Sequence, residues 1–111
     1  MENVESYRQM IRQIISERAK IPYAYLDLEL EPVFDRENDR YLLIVFGRED
    51  KKPVHFALIH VDIIEGKFWI RYDGTEEGVA TDLLENGVPK EHIVLAFKSP
   101  EMRKYTEFAV C

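Results

Sequence analysis

His60-Val61-Asp62-Ile63-Ile64-Glu65-Gly66-Lys67-Phe68-Trp69-Ile70-Arg71 carries the pattern from which the fold follows. Two runs rich in β-branched and aromatic residues flank Glu65-Gly66, a pair suited to a tight hairpin because Gly supplies the positive φ that such loops need. With a two-residue loop Ile64 faces Lys67, so Asp62 faces Trp69 and His60 faces Arg71. Ile63, Val61 and Ile59 then face Phe68, Ile70 and Tyr72. One side of the hairpin is wholly apolar and the other carries His60, Asp62, Trp69 and Arg71.

Working outward, Val54 to Ile64 reads as a central strand and Tyr41 to Phe46 as a continuous apolar strand covered on both faces. Asp35 to Asp39 and Gly47 to Pro53 are the turns around it. Leu26, Leu28 and Leu30 alternate with Asp27, Glu29 and Glu31, the period of a half-buried strand with a carboxylate row outside. Before it, Val4, Tyr7, Ile11, Ile14 and Ile15 fall at helical spacing, so residues 3–19 form an amphipathic helix that Pro22 ends.

Beyond the hairpin, Asp73 or Thr75 caps a second helix with Glu76 and Glu77 in its first turn and Val79, Ala80, Leu83 and Leu84 on its buried side. Asn86-Gly87 stops it, Pro89 to His92 makes a short helical turn, and Ile93 to Phe97 is a further strand. Tyr105 to Val110 is a last short strand or a packed tail, the tail being favoured. The expected fold is α+β in a single unit over residues 1–111. It comprises an N-terminal helix, a four-stranded and mostly antiparallel meander, a second helix, a short turn and a further strand, with the helices on one face of the sheet.

With 46% hydrophobic and 32% charged residues in 111, the chain can bury one core without staples. Its longest apolar run, Tyr41 to Phe46, is far short of the roughly 20 residues of a membrane helix, and the N-terminal segment lacks the pattern of a secretory signal. A cytoplasmic protein is expected. Cys111 is the single cysteine, so neither an internal disulfide nor a thiolate metal cluster can form. His55, His60 and His92 fit no compact zinc spacing. The glycines at 66, 74, 78 and 87 match no phosphate-binding loop or dinucleotide fingerprint, with Gly78 the least explained. No metal and no cofactor is expected. A net charge of −6, with only Lys51-Lys52 and Arg103-Lys104 as adjacent cations, disfavours strong direct binding to nucleic acid. Any action on DNA is expected to pass through another protein.

His60, Asp62, Trp69 and Arg71 form the candidate site, and three readings of it stand open. The first is a solvated polar face with ordinary cross-strand pairs. The second is a protein interface, since Trp and Arg are enriched at binding hot spots and Trp69 would stand exposed beside Leu58 and Phe56. The third, the least favoured, makes His60 and Asp62 an acid–base pair. Glu65-Gly66-Lys67 has the Glu-x-Lys spacing of metal-dependent nucleases, but the turn explains it and no upstream Pro-Asp pair completes a metal site. The row Asp27, Glu29, Glu31 reads as a solvated edge that discourages aggregation.

The strings Asp35-Arg-Glu-Asn-Asp-Arg-Tyr41-Leu-Leu43, His60 through Arg71 continuing to Asp73-Gly-Thr-Glu76, Ala80-Thr-Asp-Leu83, Gly87-Val-Pro-Lys-Glu91 and Arg103-Lys-Tyr-Thr-Glu-Phe-Ala-Val110 together resemble the XisI family. The resemblance covers nearly the whole chain. It implies a controlling factor for excision of a DNA element interrupting a nitrogen-fixation ferredoxin gene in cyanobacteria. Such a factor works with a recombinase and with a companion, XisH, which looks like a protein of endonuclease fold. The family often follows the Tyr41–Phe46 strand with Gly-Trp where this chain has Gly47-Arg48, and the segment at Lys98-Ser99-Pro100 is worded differently. No catalytic residues carry over. An accessory role in excision, an antitoxin-like masking of a nuclease-fold partner, and a metal nuclease are the three functions to be separated. Self-association stays open.

Overall fold

Alternating residues from Asp27 to Asp73 build an antiparallel meander in the computed structural model, which describes residues 4–21, 27–76 and 78–111. Its strands are β1 (Asp27–Asp35), β2 (Arg40–Glu49), β3 (Lys52–Ile64) and β4 (Lys67–Asp73). A fifth, β5 (Ile93–Leu95), pairs parallel with β4, giving the order β1-β2-β3-β4-β5. The helices are α1 (Val4–Ala19), α2 (Val79–Glu85) and the single turn α3 (Pro100–Arg103), with a 3-10 turn at Lys90–His92. This is the expected α+β arrangement. The further strand stops at Leu95, not Phe97, because the chain folds back there and the amide of Ala96 bonds the carbonyl of Val94. Pro22 and Leu26 lie outside the described residues.

The core lies between α1, α2 and one sheet face. Tyr7, Ile11, Ile14 and Ile15 of α1 pack with Tyr41, Leu43, Ile59, Val61, Phe68 and Ile70 of the strands and Val79 and Leu83 of α2. The Tyr7 ring stacks on Phe68 at 4.6 Å, and its hydroxyl meets His92 Nδ1 at 2.8 Å. In β2 only Tyr41, Leu43 and Val45 are buried, whereas Leu42, Ile44 and Phe46 are half-buried. The expectation that β2 is covered on both faces is thus corrected. Its second face has no helix over it among the described residues, because α1 and α2 both sit on the other side.

Two of the three hairpin reversals use two residues with positive φ: Asp50 and Lys51 between β2 and β3, Glu65 and Gly66 between β3 and β4. The first replaces the longer turn read from Gly47 to Pro53, since Glu49 still pairs with Lys52. Gly47 instead sits inside β2 at φ 146°, where a Cβ would come 2.2 Å from the Asp27 carbonyl oxygen, so only glycine fits beside β1.

Two bulges change the expected registers. Between β3 and β4, Val61 faces Ile70 but His60 faces Tyr72, leaving Arg71 as the extra residue. Tyr72 therefore leaves the apolar face and is 51% exposed, while Asp73 faces Ile59 on the helix side. Between β2 and β3 the register shifts at Leu43/Ile44, so Leu58 is the extra residue and Phe56 faces Val45. Phe56 thus belongs to the helix-side face and is not a neighbour of Trp69.

Asp73, once turned inward, organises the start of α2. Its Oδ2 accepts from the Val79 amide at 2.6 Å, and its Oδ1 accepts from the Thr75 amide at 3.0 Å and hydroxyl at 2.6 Å. Thr75 Oγ1 in turn accepts from the Gly78 amide at 3.2 Å. The helix begins at Val79, so Glu76 precedes it rather than sitting in its first turn, and Glu77 lies outside the described residues. Gly78, at φ 80°, supplies the left-handed step that this entry geometry needs.

Among the ion pairs that hold α1 against the rest, those of Arg8 and Arg18 are the more buried, beside Glu5–Arg36. Arg18 donates from Nε and a terminal nitrogen to Asp82 at 3.1 and 2.7 Å. Arg8 grips Asp39 with both ends of its fork, 2.7 and 3.1 Å, and Tyr41 donates its hydroxyl to the same carboxylate at 2.9 Å. The Arg8 bond holds the Asp39 carboxyl below its usual range, while burial and Asp39 push the Tyr41 hydroxyl up to about 12.

Replacing Asp73 by alanine should lower stability by about 1–2 kcal/mol in urea unfolding, the cost of losing a helix cap. Asp39→Ala should cost roughly 1–3 kcal/mol, because the buried Tyr41 hydroxyl loses its acceptor. Because the folded pKa of Asp39 is depressed, its contribution is present above the unfolded value of about 3.9 and is lost as pH falls through the folded one. Acid titrations of stability should therefore be shallower below pH ~4 in Asp39→Asn than in the natural chain.

Candidate functional site

The hairpin brings His60, Asp62, Trp69 and Arg71 together even though the register at its far end differs from the simple one. Asp62 faces Trp69 directly. The residue is only 7% exposed, and its carboxylate accepts from His60 Nε2 at 2.9 Å through one oxygen and from Arg71 Nε at 3.0 Å through the other. The bulge puts Arg71 out of step with the ladder, and its long side chain reaches back to Asp62. A buried carboxylate requires such partners, so His60 and Arg71 satisfy it on both sides.

Trp69 is half-buried rather than exposed, since two cations flank it. The guanidinium carbons of Arg71 and Arg103 each lie 5.5 Å from its ring centroid. Arg103 is fixed by donating to three carbonyls, Lys98 at 3.0 Å, Ala96 at 3.3 Å and Val110 at 3.5 Å. This arginine straps the C-terminal segment across the end of the sheet, where Ala109 bridges Val94 and donates to the Ile93 carbonyl at 2.9 Å. The packed tail favoured from the sequence is what the structure has.

Sequence reasoning missed two members of the patch. Arg103 lies far along the chain and only tertiary folding brings it to Trp69, so no local pattern announces it. A simple register places Tyr72 on the apolar face, because a β-bulge gives no signal in the alternation. Exposed Tyr72 and Arg71 are the patch's most accessible side chains, beside a half-buried His60.

Glu65 and Lys67 stand at the hairpin turn as expected, and Lys67 Nζ donates to the Cys111 carbonyl at 2.7 Å. Among the described residues no three His, Cys, Asp or Glu side chains are grouped to hold a metal ion. The arrangement offers a rigid aromatic and cationic surface rather than a free acid–base pair, because both Asp62 oxygens already accept hydrogen bonds.

Trp69 is the single tryptophan, so its emission reports on this patch alone. Arg103→Ala should shift that emission to the red and raise proteolysis of residues beyond Lys98, with the core left folded. An unshifted spectrum would show that Arg103 does not shield the ring.

The family model for the XisI protein matches residues 1–110. A crystal structure of a XisI-like protein from Anabaena variabilis superposes with a TM-score of 0.90 at 28% identity, covering 98% of this chain and 100% of that one. The crystal structure of the fdxN element excision controlling factor XisI from the same organism gives 0.81 at 31% identity, covering 95% and 96%. No curated protein matches. With fold, length and sequence agreeing over essentially the full chain, this protein belongs to the XisI family.

Proposed function

We propose that this chain is a controlling factor for excision of a DNA element and acts without catalysis of its own, through a XisH-like companion and a site-specific recombinase. The observation that carries this reading is its full-length likeness to a protein named as the fdxN element excision controlling factor. The net charge of −6 fits action through proteins rather than by direct grip on DNA. No helix among the described residues is long and apolar enough to cross a membrane, and the cytoplasm is where such a factor would meet DNA-bound partners. The face with Trp69, Arg71, His60 and Asp62 is the proposed partner contact, joined by Tyr72.

A second reading, an antitoxin-like inhibitor that masks the companion, draws support from the same charge. An acidic surface can occupy a groove built for DNA. The metal-nuclease reading is the weakest: its Glu65 and Lys67 lie on a hairpin turn, and Lys67 is engaged by the C-terminal carbonyl.

The purified chain should co-elute with its companion on gel filtration and should not cleave DNA with magnesium or manganese. Cleavage abolished by Glu65→Ala would overturn the non-catalytic role. Adding the chain to a companion-dependent DNA activity separates the first two readings, since a controlling partner supports that activity and an antitoxin suppresses it. Trp69→Ala should weaken the complex by more than about 1 kcal/mol while the chain stays folded; an unchanged affinity would remove this face from the contact.

A further inference from the structure

We infer that the uncovered face of β1, β2 and β3 is a docking surface for a cationic amphipathic helix of a partner protein. The inference rests on the reading above that the chain works through protein partners, and it extends the contact from the Trp69 patch along the same sheet face to β1. The polar side chains of that patch are tied to one another through Asp62, whereas Glu29 and Glu31 farther along the same face have no ion pair among the described residues.

The registers place Val33 beside Leu42 and His60, Glu31 beside Ile44 and Ala57, and Glu29 beside Phe46 and His55. These residues share one face, opposite α1 and α2. Val33 is 42% exposed, and Leu42, Ile44 and Phe46 are only half-buried. A depression of about 300 Å³ opens among Glu31, Val33, Ile44, Phe46 and His55. Along its β1 rim stand Glu29 and Glu31, both exposed and without an ion pair among the described residues.

An apolar floor with an unpaired acidic rim asks for an apolar stripe flanked by cations. Spacing favours a helix as its carrier. Alternate residues on a strand are about 7 Å apart, close to the ~6 Å between positions i and i+4 of a helix. Two lysines one turn apart can thus meet Glu29 and Glu31 while the leucines between them fill the depression. A second copy of the chain is a poorer occupant: it also carries −6 and would bring the same acidic rim.

The probe is a labelled synthetic helix of leucine and lysine, about 18 residues or five turns long, with a leucine and glutamate version as control. Fluorescence anisotropy should show binding of the lysine helix and none of the glutamate helix. Glu31→Lys and Ile44→Lys should each weaken it by about tenfold or more, whereas Glu85→Lys, the same charge change on α2, should leave it within about twofold. Circular dichroism checks that each variant is folded, and Glu31→Lys, on an exposed strand position, keeps the test valid should Ile44→Lys unfold. No binding of the lysine helix, or equal weakening by Glu85→Lys, would overturn the proposal. So would a concentration-dependent dimer that Glu31→Lys dissolves, because the occupant would then be a second copy. The companion complex separates this inference from the reading beneath it. A complex left intact by Glu31→Lys sinks the docking surface alone; a natural chain that forms no complex sinks the partner-mediated role, whatever the helix does.

Discussion

One extra residue in β4 governs how the molecule closes. Because Arg71 is bulged out of the β3–β4 ladder, the residues after it exchange faces: Tyr72 turns outward and Asp73 turns toward the helices. Asp73 then gathers the Val79 amide and both polar groups of Thr75. That sets the entry of α2, which delivers Val79 and Leu83 to the core, each worth about 1.5–3 kcal/mol when fully buried. Without the bulge the carboxylate would face solvent and the tyrosine would have to fit under the helices.

The second constraint is the placement of α1, whose apolar stripe alone does not fix its angle on a flat sheet. Two of its three arginines do, Arg8 and Arg18, one near each end. Arg8 holds the β2 entry through Asp39 and Tyr41, and Arg18 holds α2 through Asp82 and the Gly78 carbonyl at 3.3 Å. Between them Tyr7 reaches across the core to His92 just before β5. Forked guanidinium pairs are directional where hydrophobic contact is not, so they choose among the positions that burial alone would allow.

Much of this was legible because strand and helix periods are local. The Glu65-Gly66 hairpin, its register as far as Val61 and Ile70 and the buried stripe of α1 all follow from neighbours in sequence. What escaped is non-local. Neither bulge leaves a mark on the alternation, so a simple register puts Tyr72 and Phe56 on the wrong faces, and the apolar run in β2 reads as covered twice although α1 and α2 both lie over one face. Of the site, the four residues on the hairpin could be named from spacing. Arg103 could not, since its carbonyl partners and its approach to Trp69 exist only after the tail has folded back.

The edges of the sheet have a consequence for specificity. Beyond β5 the tail supplies its own backbone at Ala109, and on the far side the edge strand β1 carries Pro32, which has no amide hydrogen to offer. Strand addition reads partners through main-chain bonds, which every sequence possesses, and both routes to it are obstructed here. Under the partner-mediated role proposed above, recognition is then left to side chains, which discriminate among partners where main-chain bonds do not.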